Sequence, residues 1–382
     1  MSTLPNIPGE MPPDLQIQGP VYDLTELLTE MINRGASDLH LTVGTPPQIR
    51  VDGKLIPLEL PKLSPEDTKE LAYGVLTETQ RSQFERNKEL DLSFGVKGLS
   101  RFRANVYRQR DCVAMALRRI PYEIMSFERL GLPAIVEELA EKPNGLVLVT
   151  GATGSGKSTT MAAMIDKINR NVSAHILTIE DPIEYVHQHR KAIVNQRQVN
   201  SDTDSFNLAL RSALRQDPDV VLIGEMRDKE TIEIALTIAE TGHLVFGTLH
   251  TNSAVQTINR IIDVFPPDQQ EQVRTQLALV LQGVVCQQLL PRIGGGRVMV
   301  CEVLYCHTGI RACIRENKIH QMDSLIQTGG KYGMQTLNQS LYTAVKNRKI
   351  TREDALARSP EPNDLKTLLD RDMFGKRSGY AE

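Results

Sequence analysis

The chain predicts an α/β fold in two parts, a small α+β domain followed by a larger domain built on a buried parallel sheet. Three observations carry this. Thr150-Gly151-Ala152-Thr153-Gly154-Ser155-Gly156-Lys157-Ser158-Thr159 matches the phosphate-binding template G-x-x-x-x-G-K-[ST] at every required position. Beyond it, apolar runs recur, each ending in a polar cluster. Before it, segments alternate apolar and polar residues as half-buried strands do.

The phosphate loop has the context it requires. Gly145-Leu146-Val147-Leu148-Val149 is a continuous apolar run suited to a buried parallel strand. After the loop, Met161, Met164, Ile165 and Ile168 recur at helical spacing, so a helix N-terminus points its dipole at the bound phosphates. The glycines let backbone N–H groups converge on phosphate, Lys157 neutralises β/γ charge, and the Ser158 hydroxyl suits Mg²⁺. Residues 151–159 are therefore the expected nucleotide site, with ATP and Mg²⁺ as cofactors.

In chain order, residues 1–20 are broken by proline and glycine and read as a disordered arm. Asp23 caps a helix whose buried stripe is Leu24, Leu27, Leu28, Met31 and Ile32. Ser37–Thr42 alternates as a strand, and Asp52-Gly53 joins 48–51 to 54–56 as a hairpin. Ser64-Pro65 opens another helix. Strands follow at 89–94, 101–108 and 112–118. In the second of these, a period of two puts Arg101 and Arg103 on one face and Phe102, Ala104 and Val106 on the other. The arginine face reads equally as a solvated sheet surface or as a set of guanidinium groups, Arg101, Arg103 and Arg118, that offset charge on a triphosphate held by another subunit. This domain spans 21–119, and 120–133 is a linker.

The larger domain spans 134–358. Its apolar runs 174–179, 220–223 and 244–249 end in Glu180-Asp181-Pro182-Ile183-Glu184, in Gly224-Glu225-Met226-Arg227-Asp228 and in His250. Ligands bind beyond the carboxyl ends of parallel strands, so these clusters should converge on the phosphate loop. Glu225 has the Walker B position, suited to polarising a water or holding the Mg²⁺ shell. Glu180, Asp181 and Glu184 add carboxylates beside the metal, with Asp181, Ser158 and Glu225 as its expected ligands. His243 and His250 either contact the γ-phosphate or serve as structural hydrogen-bonders. Val273, Leu277, Val280, Leu281 and Val284 predict one long helix, with Cys286 also in a helical pattern and Cys301 in a strand. Helices are expected at 308–316, 322–327 and 337–346, and the polar stretch 359–382 as a flexible tail.

With 24% charged residues and a net charge of −3, no basic field argues for nucleic acid. Nothing is apolar for long enough to span a bilayer, and Met1 to Pro20 has no signal-peptide pattern, so the expectation is a cytoplasmic protein. The five cysteines form no C-x-x-C pair, against a disulfide framework or a zinc site.

With these motifs placed, the chain resembles the type II/IV secretion superfamily ATPases, and within them the PilT-like motors that retract type IV pili. The resemblance rests on Ala36-Ser37-Asp38-Leu39-His40-Leu41, on 178–184 as the family's Asp box, on Arg215-Gln216-Asp217-Pro218-Asp219 leading to the Walker B stretch 224–228, and on 241–252 as its His box. It implies a PAS-like N-terminal domain, a RecA-like P-loop ATPase domain and a homohexameric ring with ATP between subunits. It also implies that Arg103 and Arg118 complete a neighbour's site, and that Glu225, Glu184, Glu180, His250 and His243 are catalytic. An inner-membrane pilus platform protein and other pilus motor ATPases are the implied partners, at the cytoplasmic face of the inner membrane. The four-cysteine zinc element of assembly motors is missing. Gly309-Ile310-Arg311-Ala312-Cys313-Ile314-Arg315-Glu316 keeps the arginines and final glutamate of the retraction segment A-I-R-N-L-I-R-E and departs from it elsewhere. Retraction is the implied role. The alternatives are a pilus assembly or type II secretion motor, and a nucleotide-gated accessory subunit.

Overall fold

The computed structural model describes residues 22–51, 53–120 and 123–375. The chain divides into two compact units, up to residue 122 and from 123 onward. The expected arm, 1–20, and the end of the expected tail, 376–382, lie outside the described residues.

The first unit runs α1 (Leu24–Asn33), β1 (Asp38–Leu41), β2 (Gln48–Val51), β3 (Lys54–Pro57), α2 (Pro65–Tyr73), α3 (Glu78–Asn87), β4 (Glu89–Val96), β5 (Ser100–Gln109) and β6 (Cys112–Ile120). Its antiparallel sheet has the order β3-β2-β1-β6-β5-β4. Asp23 caps α1 by accepting from the Thr25 N–H, and Ser64 with Asp67 forms a capping box at α2. One sheet face carries Leu39, Ile49, Leu117, Ala104 and Leu92 into a core shared with α1 and α2. The other is polar: Arg50, Asp38, Arg118, Arg103 and Ser93 stand opposite one another across five neighbouring strands.

The second unit runs α4 (Phe127–Leu130), α5 (Ala134–Ala140), β7 (Gly145–Thr150), α6 (Lys157–Asn171), β8 (His175–Glu180), β9 (Ile193–Gln198), α7 (Phe206–Ala213), β10 (Val220–Ile223), α8 (Lys229–Glu240), β11 (Leu244–Leu249), α9 (Ala254–Asp263) and α10 (Gln270–Val280). It ends with β12 (Leu281–Pro291), β13 (Arg297–Tyr305), α11 (Thr308–Arg315), α12 (Met322–Thr328), α13 (Leu337–Lys346), α14 (Arg352–Arg358) and α15 (Pro362–Gly375). The sheet order is β13-β12-β7-β11-β10-β8-β9, parallel except for β13. From β12 to β8 the spatial order is fifth, first, fourth, third and second of the core strands, the RecA-like arrangement. Every residue of β7, β10 and β11 is buried, which fits strands covered by helices on both faces.

Two expectations are corrected. The helix expected across Val273–Val284 stops at Val280, and Leu281, Val284 and Cys286 belong to β12. β12 is buried on both faces, so its apolar residues obey neither period cleanly, and a helical spacing carried over from α10 fits them by accident. The tail from Ser359 is not loose throughout. α15 forms there and buries Leu365 and Leu369 against Leu341 and Ala355, with Arg352 paired to Asp370 at 2.6 Å. Its short apolar stripe was masked by the prolines around it.

Candidate functional site

β7 delivers the chain to the phosphate loop at the carboxyl edge of the sheet, and α6 leaves from it. Gly156, at φ +91°, is the N-cap of α6 and supplies no side-chain cap, so the first-turn N–H groups remain available to an anion. Gly151 lies at φ +140°, and a Cβ there would stand 2.4 Å from the Gln287 carbonyl oxygen and 2.6 Å from Ser155 Oγ. Gln287, buried on β12, donates its Nε2 to the Ser155 carbonyl oxygen at 2.8 Å and so props the loop from beneath. Sequence reasoning missed Gln287, because only the pairing of β12 with β7 brings it there.

Lys157 folds over the loop and donates to the carbonyl oxygens of Gly151 at 2.8 Å and Ala152 at 3.1 Å. Burial pushes its pKa down, and the charges of Glu225 and Glu184 partly oppose that shift. An ammonium held in a half-dry loop beside unclaimed N–H groups, with Ser155 Oγ buried and without a hydrogen-bond partner, fits the phosphates of a nucleotide.

Glu225 follows β10 and faces the loop. Arg227 clasps it, and His250, one residue past β11, brings Nε2 to 3.2 Å from Oε1. Burial pushes the Glu225 pKa up, but the hydrogen bond and charge of Arg227, aided by His250, outweigh this and hold it below the ordinary value.

Glu180 ends β8 and accepts from Thr178 Oγ1 at 2.6 Å and Gln196 Nε2 at 3.2 Å. Burial nevertheless raises its pKa. Ser158, Glu180, Tyr185, His187, Gly224 and Thr248 line a small cleft of about 40 Å³ beneath the loop. Thr159 Oγ1 lies 2.9 Å from the Tyr185 hydroxyl. Asp181 and Glu184 are exposed on the turn after β8, and their charges act on Arg227 and Lys157 respectively. Among the described residues, no three His, Cys, Asp or Glu side chains gather as an all-protein metal site. The expected metal ligands Ser158, Asp181 and Glu225 stand in the first turn of α6, on the turn after β8 and after β10 respectively.

His243 is not part of this cluster. It precedes β11, its carbonyl accepts from Gly145 at the start of β7, and its ring contacts Thr241 and the Ile238 carbonyl. The six residues of β11 separate it from His250 by about 20 Å. Of the two readings of this histidine, the structural hydrogen-bonder is the one seen in this chain.

Arg103 and Arg118 are cross-strand neighbours in the first unit. Arg118 Nε donates to Asp38 Oδ1 at 2.8 Å, and both arginines are exposed.

The family described as Type II/IV secretion system protein matches residues 16–357. The Type IV pilus retractation ATPase PilT of Pseudomonas aeruginosa is 51% identical, over 90% of this chain and 100% of its own length. The Type IV pilus ATPase PilU of the same organism is 45% identical over 91% of each chain. The crystal structure of the pilus retraction motor PilT with bound ADP superposes with a TM-score of 0.86 at 57% identity, covering 91% of this chain and 99% of that one. Fold, phosphate loop and full-length likeness agree, and the chain belongs to the type II/IV secretion system protein family, among its PilT-like ATPases.

Proposed function

We propose that this chain is an ATP-hydrolysing motor that powers type IV pilus retraction. The observation that carries the reading is the convergence of Lys157 and Glu225 at one sheet edge, close enough for the glutamate's charge to act on the ammonium. The likeness to the Pseudomonas aeruginosa retraction ATPase over the whole of that protein supports the direction of the motor.

The residues divide the work as follows. The loop 151–156 and the N-terminus of α6 bind the phosphates, Lys157 leaves its carbonyl partners for them, and Ser158 and Asp181 would hold Mg²⁺, which supplies charge neutralisation when bound. Glu225, kept ionised by Arg227 and His250, orients and polarises the attacking water. Glu180 and Glu184 complete the acidic edge. The chain acts as a homohexamer in which Arg103 and Arg118 reach the nucleotide of a neighbouring subunit. Closure and opening of the first unit over that neighbour move an inner-membrane platform protein at the cytoplasmic face. Among the described residues no helix is long and apolar enough to cross a membrane, so contact with that protein would be peripheral.

The test pairs phosphate release by the purified chain with deletion of its gene. Hydrolysis lost in Lys157→Ala, with pili accumulating and twitching stopped in the deletion strain, is the expected result. Loss of pili would overturn retraction in favour of assembly. A second reading, a nucleotide-gated accessory subunit of a pilus motor, predicts little hydrolysis by the chain alone.

A further inference from the structure

Glu302 is a buried carboxylate that no step above uses. It lies in the middle of β13, 9% exposed, opposite Cys286 of β12, which in turn pairs with Thr150, the residue before the phosphate loop. Its Oε1 accepts the backbone N–H of Ala254 at 2.7 Å, the first residue of α9. The loop between β11 and α9 is only four residues long and begins with His250, whose ring meets Glu225.

The rest of that junction is also tied inward. Thr251 Oγ1 lies 2.7 Å from Thr257 Oγ1, and Thr257 donates to the Ser253 carbonyl oxygen at 2.7 Å. Thr150 Oγ1 donates to Cys286 Sγ at 3.0 Å, and Thr257 also bonds that thiol. A buried polar seam therefore runs from the end of β7 through β12 and β13 to the start of α9. Within it, Glu302 is the one carboxylate.

We infer that Glu302 is a positioning residue for the site: from β13 it fixes the start of α9, and with it the loop that carries His250 to Glu225. The inference rests on the ATPase reading for its effect on turnover, though the contact itself does not. An ionised acceptor holds an amide N–H about twice as strongly as a neutral one, so the grip depends on the carboxylate's charge. Burial raises the Glu302 pKa to about 6, the Ala254 N–H lowers it somewhat, and Asp323 of α12 adds to the rise. The other titratable groups acting with it are the thiols of Cys286 and Cys301, both pushed up by burial. The charge of Glu302 is therefore gained and lost near pH 6, a range in which both thiols stay neutral.

The experiment follows Glu302→Gln, an isosteric and permanently neutral side chain, alongside the unaltered full-length protein from pH 5 to 8. Amide hydrogen exchange over 250–257 reads the contact directly, and kcat and KM for ATP read its consequence. In the unaltered chain, protection of this segment and kcat should fall together below about pH 6. The variant should show the weakened state at every pH, with kcat down roughly three- to tenfold and KM nearly unchanged, the size of a lost charge-assisted component. An exchange pattern in the unaltered chain that ignores pH between 5 and 8, or a variant that keeps full protection and the same acid limb, would overturn the assignment. Should the purified chain hydrolyse no ATP, the motor reading falls and the exchange arm still decides Glu302.

Discussion

Arg227 clasps Glu225 at both carboxylate oxygens, with Nε 2.5 Å from Oε1 and Nη2 2.7 Å from Oε2. Because the two residues are separated by Met226 alone, whose side chain is buried, the turn after β10 presents them on the same side. Burial raises the pKa of the candidate base, and the hydrogen bond and charge of the arginine outweigh it and hold the carboxyl below its ordinary value.

The consequence is a pH dependence with a definite sign. Removing Arg227 leaves burial as the leading influence on Glu225, so its pKa rises and the acid limb of kcat moves to higher pH. The measurement belongs in the Glu302→Gln background, which lacks the limb assigned to Glu302. There, adding Arg227→Ala should shift the remaining limb upward while kcat at pH 8 stays within about tenfold. Glu225→Gln should lose roughly a hundredfold or more at every pH. A limb that stays in place without Arg227 would mean that the clasp does not set the charge of Glu225.

The glycines of the phosphate loop make separate predictions. At Gly151 an added Cβ meets the Gln287 backbone and Ser155 at distances real Cβ atoms do not occupy, whereas at Gly154 it meets nothing within 4 Å. Both have positive φ, so each alanine carries a backbone strain of about 1 kcal/mol. Gly154→Ala should therefore keep the fold and weaken nucleotide binding modestly. Gly151→Ala must displace β12 or the loop, and should abolish the rise in Tm that ATP gives. Equal behaviour of the two variants would show that the approach of Gln287 is not what fixes the loop.

The sequence made the phosphate edge legible because every part of it lies at the carboxyl end of an apolar run, and in a parallel sheet those ends share one side. Glu180, Glu225 and His250 fell into place by that rule alone. His243 failed under the same rule, since it stands before its strand and the sheet carries it to the far edge. Gln287 and Glu302 had no signal. They lie in β12 and β13, whose pairing is set by the whole fold, and β12 itself resembled an extension of α10. Arg227 was visible within the Walker B stretch, but its clasp is a matter of side-chain direction that spacing does not encode.

The arginines of the first unit give a prediction that does not depend on how the units are arranged. If Arg103 serves a neighbour's nucleotide, Arg103→Ala and Lys157→Ala are each inactive alone. Mixed subunits, however, can form sites with an intact Lys157 on one side and an intact Arg103 on the other. Phosphate release should then reappear and peak at an intermediate mixing ratio. No activity at any ratio would count against an arginine acting in trans. Asp38→Asn extends the test: it removes the carboxylate held 2.8 Å from Arg118, freeing that guanidinium without deleting it. Nucleotide turnover should change less than in Arg118→Ala if Asp38 only orients the side chain.

Glu302 also carries a stability prediction opposite in sign to its proposed contribution to turnover. Its pKa in the folded chain is raised from 4.5 to about 6 by burial, so folding favours the neutral acid. That contribution is complete below about pH 4.5 and is lost as pH rises through 6, which leaves the ionised protein about 2 kcal/mol less stable than it would be with an unshifted group. Glutamine has no charge to bury. Glu302→Gln should therefore match the unaltered chain in thermal stability near pH 4.5 and exceed it by up to a few degrees in Tm above pH 7, less whatever the weaker bond to Ala254 gives back. Thermal melts across that range test the sign. A variant that is less stable at pH 8, with the same pH trend as the unaltered chain, would mean that the carboxylate is not ionised there. A variant that is more stable and slower would mark Glu302 as a charge retained at the expense of stability for the position of His250.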